Sequence, residues 1–375
     1  MSMGSVMRIP ILRLCLPLWV ISVLGCATSI PAPEPNLDPK DAASIVHSAA
    51  PEPLHIVDEP FLPAPDINVA IFDVGPDAGQ TAAYRAVRRL ESRLLPGLLR
   101  EALVSSAQWG AVRVVPTVSP LAPVNIRATI VASDGRDLIL DVQVSDITGA
   151  EWLALRLAYR ESAPSDNLSD LSRIFHVVSN RMRDYWLSRT EVQRSSVISI
   201  ADMLYARSLA PDVFSDYVDN TAPTLRLKRM PASNDPMLSR VKRIRNQEYL
   251  FCDAVDEQLG MLLDRAGPTY YLWRQASIEQ ANWLDQYESM AASRSAGKGG
   301  GEFSRMQASY SAYRSYRIQE QALFELAEAL DGESEPVVMT TEDAVVTLEG
   351  TLDTQYATWR DLLREIFLLE QGELQ

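Results

Sequence analysis

The chain has 375 residues, 47% of them hydrophobic and 22% charged, which excludes a disordered or purely fibrous protein and leaves room for two domains of ordinary size. Its 49 acidic side chains outnumber 35 basic ones, for a formal net charge of −14. No basic stripe with interleaved aromatics accompanies that charge, so nucleic acid is not expected as a partner; the acidic excess is expected to provide solubility.

The first element in chain order is a leader. Arg8 and Arg13 flank the start of an apolar run, Leu14 to Leu24, that is too short for a comfortable membrane span and is followed by small residues. This is the anatomy of a signal peptide over residues 1–25. The run ends in Val23-Leu24-Gly25-Cys26, which resembles the lipobox of bacterial lipoproteins: aliphatic, small or aliphatic, Gly or Ala, then Cys. Leu24 is bulkier than usual for its place, while the other three residues fit. The resemblance implies cleavage before Cys26, lipidation of its thiol and acylation of the new amino group, with a membrane as the first partner. At about 0.8 kcal/mol per buried CH₂, several acyl chains anchor a protein in effect permanently. Ala27 in place of Asp resembles lipoproteins sent on to the outer membrane of enteric-type bacteria, and so implies its periplasmic face. An uncleaved anchor or an ordinary secretory signal is the other reading. Loss of the leader would leave 49 acids against 33 bases, a charge of −16.

Residues 26–65 carry Pro31, Pro33, Pro35, Pro39, Pro51, Pro53, Pro60, Pro63 and Pro65 with few large apolar groups, which predicts an extended tether. His47 and His55 fall in it without Cys or paired acids nearby, a weak metal pattern. Of the three cysteines, Cys15 lies in the leader and Cys26 at the cleavage point. Cys252 is left alone in the mature body, within an amphipathic helical pattern, where a small buried hydrophobe is expected.

From residue 66 to 190 the pattern is α/β. Ile67 to Asp73 reads as a buried strand stopped by Gly75-Pro76. From Ala78 to Ser106, Tyr84, Val87, Leu90, Leu94, Leu95, Leu98, Leu99 and Leu103 recur at helical spacing, with Pro96 expected to kink or divide the helix. Four β runs follow: 111–115, 124–131, 138–144 and 152–159. Ser133-Asp134-Gly135-Arg136 and Asp146-Ile147-Thr148-Gly149 lie at hairpin positions. A helix bearing Leu171, Ile174, Val178, Met182 and Trp186 closes the unit. Its one histidine, His176, has no triad or metal spacing beside it. Strand, helix, strand, three-strand meander, helix predicts a small mixed-sheet α/β sandwich. With Val69-Ala70-Ile71-Phe72-Asp73 opening the fold and Ala107-Gln108-Trp109-Gly110 before the second strand, this order resembles the periplasmic α/β domains of curli-secretion and peptidoglycan-synthase-activator lipoproteins and of the N-terminal part of the Tol translocation protein. The resemblance is topological and spans about 120 residues. It implies contact with other proteins in rings or scaffolds, and transfers no site residue.

Residues 191–375 predict an all-α domain, so that the whole chain is of the α+β class. Val241, Ile244, Phe251, Val255, Leu259 and Leu262 form one stripe; Ile278, Leu284, Tyr287 and Met290 a second; Met306, Tyr310, Tyr313 and Arg317 a third, continuing through Leu323 and Leu326. Thr340 and Asp343 resemble a capping box opening a last helix through Val345, Leu348, Leu352, Trp359, Leu362, Ile366 and Leu369. That seam needs a partner helix, within the chain or on another copy. Ser295 to Gly301 is glycine-rich around Lys298 but lacks the strand and the Ser/Thr of a phosphate loop, and reads as a connection. Asp253, Asp256 and Glu257 read as a solvated face.

The residues singled out as a possible interface are Trp273, Tyr310, Tyr313, Arg314, Arg317 and Trp359, where rings alternate with guanidinium groups. Ordinary packing with snorkelling arginines is the competing explanation. No cofactor or metal site is expected and no catalytic set stands out. The functional expectation is a lipid-anchored, non-enzymatic scaffold or regulatory component of an envelope assembly, with envelope proteins or a second copy as partners. An envelope-polymer hydrolase or a ligand-binding lipoprotein is the alternative.

Overall fold

The alternating runs of the first half pair into one sheet. In the computed structural model, the described residues are 45–47, 52–58, 63–75, 82–160, 169–219, 224–294, 302–330, 336–341 and 345–371. The leader, Cys26 and the glycine-rich segment 295–301 lie outside them. Strands β1 (Ile45–His47), β2 (Ile67–Ala70), β3 (Val112–Val115), β4 (Val124–Ser133), β5 (Asp137–Asp146) and β6 (Glu151–Arg160) lie in the order β1-β6-β5-β4-β2-β3. β2 runs parallel to both neighbours, and β4-β5-β6 is an antiparallel meander. The fold is therefore α+β with a mixed sheet, as the strand and helix order predicts.

One face of the sheet is apolar. Ile67 and Val69, Val112 and Val114, Val124, Ile126 and Ile130, and Leu140, Val142 and Val144 are all fully buried, each set at the period-2 spacing of a strand. Helix α1 (Ala82–Ser105) and helix α3 (Ile174–Ser188) cover this face, with the single turn α2 (Ser169–Ser172) leading into α3. Pro96 does not divide α1, which continues through it with Leu94, Leu95, Leu98 and Leu99 packed into the core. Trp152 stacks on Tyr185 and Trp186 with ring centroids 5.2 Å apart, fastening β6 to α3.

Part of the predicted tether is docked on this layer. Asn180 on α3 accepts the His55 amide and donates to the Pro53 carbonyl, and His176 Nδ1 lies 2.9 Å from the Glu52 carbonyl oxygen. Gln108 donates to the His55 carbonyl, and the Val57 amide reaches the Ser106 carbonyl. His176 thus holds a chain segment in place.

The second half is dominated by helices but is not free of strands. Helix α4 (Glu191–Leu209) starts on a capping box, Thr190 with Gln193, and α5 (Pro211–Phe214) is a single turn. Two short pairs follow: β7 (Val218–Asp219) with β8 (Arg226–Leu227), and β9 (Val337–Thr340) with β10 (Val345–Leu348). The predicted capping box at Thr340 is a correction. Thr340 ends β9, because Val-Val-Met-Thr and Val-Val-Thr-Leu are β-branched runs that pair antiparallel. The last helix, α8 (Leu352–Gln371), begins later, where Thr351 Oγ1 accepts the Thr354 amide at 3.3 Å. Asp343 lies outside the described residues.

The first two apolar stripes belong to one helix, α6 (Pro236–Arg294), of 59 residues and so roughly 90 Å long. Helix α7 (Glu302–Leu330) packs on α6 and on α1. Buried side chains from Ile67 to Phe367 form a single cluster, so the sheet layer and the helices share one core.

The turn between β4 and β5 shows how tightly α6 fits. Gly135 has φ +89°, and a Cβ there would overlap the Ser277 side chain of α6, with Trp273 beside it. Gly135→Ala should lower stability by about 1–3 kcal/mol through backbone strain and displacement of α6. Urea unfolding should show a lower midpoint, whereas Gly149→Ala, with φ +86° but open space around it, should lose less.

Candidate functional site

β3 is the edge of the sheet, and its backbone dictates what surrounds it. In a parallel pair, alternate residues of an edge strand face the neighbour. The Ala111 and Val115 carbonyls bond to β2, so Val112 and Val114 direct their polar groups outward. Those groups are met by side chains. Asp256 Oδ1 accepts the Val114 amide at 2.9 Å, Tyr356 donates to the Val114 carbonyl at 3.4 Å, and Arg100 Nε donates to the Val112 carbonyl at 3.0 Å. Helices α6, α8 and α1 each contribute one.

Asp256, expected on a solvated face, is instead buried against this edge, while Asp253 is exposed as expected and still pairs with Arg113. Asp253 pairs with Arg113 at 2.9 Å and Asp256 with Arg100 at 3.2 Å; Glu257 is exposed. Arg113 is the reason for the first pair. It sits in the run Val112-Arg113-Val114-Val115 and is buried, and a buried guanidinium needs acceptors. Asp253 and, at 3.5 Å, Asp66 supply them.

Beyond the edge, the opposite face of β2 and β3 faces α4, α6 and α8 across a small semi-open cleft of ≈ 40 Å³. Asp66, Asn68, Arg113 and Val115 line the sheet side. Ser119, Leu121, Ala122 and Pro123 form the loop side, and Tyr205, Arg245, Glu248, Tyr249, Cys252 and Arg360 the helical side. The guanidinium groups lie over rings: Arg113 is 4.1 Å from the Tyr249 centroid, and Arg245 is 5.4 Å from Tyr249 and 5.1 Å from Tyr205. Arg245 pairs with Asp202 at 2.5 Å and Arg360 with Glu248 at 2.9 Å.

Burial controls the titration of this region. The Cys252 thiol is pushed up to about 12 by burial, which the Tyr356 hydrogen bond opposes only in part, so it is a packed, unreactive thiol as its helical position predicts. Asp256 is raised to about 6, because burial outweighs the Val114 amide and Arg100. Among the described residues, no group of three or more His, Cys, Asp or Glu side chains is placed to hold a metal ion.

The interface residues picked from sequence separate into two sets. Trp273 and Trp359 are buried, Trp273 beside Tyr270 and Trp359 beside Phe251, with the Trp359 indole donating to the Gln247 carbonyl. They are core residues in this fold. Tyr310, Tyr313, Arg314 and Arg317 are exposed, all on α7. Cys26 lies outside the described residues. The cleft residues Arg113, Arg245, Arg360, Tyr205 and Tyr249 were not singled out from sequence, although a lone Arg inside an apolar strand is a usable signal of a buried charge network. Neither a protein-family model nor a curated protein matches the chain.

The Asp256 shift has a testable sign. Its carboxyl is raised from 3.8 to about 6 on folding, so the folded state holds a proton the unfolded state has lost. The contribution is fully present below pH 3.8 and is lost as pH rises through about 6. Asp256→Asn keeps an acceptor for the Val114 amide and cannot ionise. Between pH 4 and pH 6.5, wild-type stability should fall relative to Asp256→Asn in parallel urea titrations (~1 kcal/mol or more). Superimposable pH profiles would show that Asp256 is ionised throughout.

Proposed function

We propose that this chain is a lipid-anchored lipoprotein of the bacterial envelope, held through Cys26 on the periplasmic face of the outer membrane, and that it acts there without catalysis as a scaffold or regulatory component of an envelope assembly. The anchor and compartment rest on the leader and the Val23-Leu24-Gly25-Cys26 resemblance. The strand and helix order of the α/β layer supports the likeness to periplasmic domains that contact other proteins.

The observation that carries the assembly role is one face of α7. Met306, Tyr310, Tyr313, Arg317 and Phe324 recur at helical spacing, and Met306 and Phe324 lie five whole turns apart. At Phe324 this face is packed against the core, while at Met306, Tyr310 and Tyr313 the side chains are 64%, 66% and 50% exposed. An apolar face in unbroken register thus continues beyond the part of the protein that covers it. Tyr and Arg are the residues most enriched at the energetic centres of interfaces. Arg314 and Arg317 flank these rings, with the Arg317 charge met by Glu320, so the face is aromatic with arginine at its margin.

The test is crosslinking and affinity capture of the lipidated protein from native membranes, with intact-mass measurement of what is recovered. Tyr313→Ala combined with Arg317→Ala should reduce recovery of the complex about tenfold or more, a loss of at least ~1.4 kcal/mol. Thermal unfolding should be nearly unchanged, since both side chains are exposed and the Arg317 pair with Glu320 is a surface contact. Cys26→Ser should deplete the same complex by removing the anchor. A lipidated monomer with no partner, or undiminished capture by the double variant, would overturn the proposal.

A further inference from the structure

Three arginines, Arg113, Arg245 and Arg360, and two acids, Asp66 and Glu248, line the cleft between the sheet and helices α4, α6 and α8. Arg113 uses Nε on Asp253 and Nη1 on Asp66; Arg245 uses Nη1 on Asp202; Arg360 uses Nε on Glu248. Among the described residues, no acceptor bonds Nη2 of Arg113, Nε and Nη2 of Arg245, or either terminal nitrogen of Arg360. A guanidinium carries five N–H donors and no acceptor, so each of these is a group with one kind of partner. The Arg113 and Arg245 side chains are only 8% and 12% exposed, yet none of these nitrogens is among the fully buried atoms without a partner, so the donors reach the open space of the cleft. Donors in such surroundings gain more from a charged acceptor than they would in water.

The net field is not what would attract a ligand, since Asp202 and Asp253 balance Arg245 and Arg113 from behind. The attraction is directional. It is also one-sided, because Leu121, Ala122 and Pro123 give the loop wall an apolar surface, with Val115 beside Arg113 on the sheet. The tyrosine hydroxyls do not compete as anions: burial raises both Tyr205 and Tyr249 well above the usual phenol range, and they stay neutral.

The geometry points to a binding site for a small organic carboxylate, its oxyanion on the free N–H groups of Arg113, Arg245 and Arg360 and its apolar body against Val115, Leu121 and Pro123. A carboxylate matches the planar fork of a guanidinium, and an apolar body matches the loop wall. Neither feature is needed by the scaffold role, and the site stands independently of the lipid anchor.

Saturation-transfer NMR on the full-length protein in detergent would test it with three probes: isovalerate, inorganic phosphate and 3-methylbutylamine. Isovalerate should bind saturably with a Kd of about 1–10 mM, the range open to so few atoms. Phosphate, which lacks the apolar body, should bind at least several-fold more weakly, and the amine should not compete. Leu121→Asp places a carboxylate at the apolar wall without touching an ion pair, and Arg360→Gln removes donors from a residue on the exposed side of α8. Both should abolish the isovalerate signal while the thermal midpoint stays within a few degrees. Absence of saturable binding, equal binding of phosphate or the amine, or retention of isovalerate binding in both folded variants would each overturn the assignment.

Discussion

A strand with one neighbour exposes a row of unpaired amides and carbonyls, which invites pairing with another chain. Strand β3 has this position, and the protein answers it by laying helix α6 across the edge. Asp256, Tyr356 and Arg100 satisfy the outward amide and carbonyls of Val112 and Val114. Much else follows from that crossing. Arg245, Tyr249, Cys252, Asp253 and Asp256 share one side of α6 at three- and four-residue spacing. The residues that satisfy the edge and those that wall the cleft are therefore consecutive turns of one helix face.

Past the edge, α6 crosses the outer side of α1, and here close packing and a buried polar cluster fix its position. A Cβ at Gly97 would overlap Leu263, so glycine lets the two helices approach. Further along, Glu91 is wholly buried on α1 and accepts hydrogen bonds from Ser133 at 2.5 Å and Tyr270 at 2.7 Å. Burial raises its carboxyl above the usual range, against the pull of those donors and of Arg88 and Arg274. Such a cluster adds little net stability, because desolvation offsets the contacts. It does restrict register: sliding α6 by one turn would strand the Glu91 carboxylate among leucines. The turn at Gly135, seated against Ser277, enforces the same register from the sheet side.

What the sequence makes legible follows from which signals are local. Strands β2 to β6, the hairpin turns at Gly135 and Gly149, and helices α1 and α3 follow from periodicity and turn chemistry, which are properties of adjacent residues; β1, inside the expected tether, does not. The failures are tertiary. Val337–Thr340 and Val345–Leu348 are spaced so that they also fit a helical seam, and only their mutual pairing decides for strands. Trp273 and Trp359 have the composition of an interface, yet each fills a gap between elements distant in sequence. Asp256 reads as one acid among several because its role depends on Val114, 142 residues away. Arg113, a charge inside an apolar strand, carries a local signal of a buried charge network, but its partners Asp66 and Asp253 lie far along the chain.

The two surfaces with functional meaning arise from opposite departures from a well-packed core. In the cleft, charged groups are more enclosed than their mutual pairing requires, leaving donors directed into a partly dry space. On α7, apolar groups are less enclosed than their register implies, since the face that packs at Phe324 runs on uncovered to Met306. Neither departure stabilises the isolated chain. A guanidinium together with its paired acid could be replaced by well-packed apolar residues, and an exposed Tyr by Glu or Lys, with little loss. The two surfaces are also separated along the fold, one beside the sheet edge and α8, the other on the helix that follows α6. A ligand in the cleft would contact the N-terminal half of α6, and a partner would lie on the exposed side of α7. Coupling between them would require α6 to shift as a unit, and the Glu91 cluster and the Gly135 turn oppose that shift. The physical expectation is therefore that the two proposed surfaces act independently.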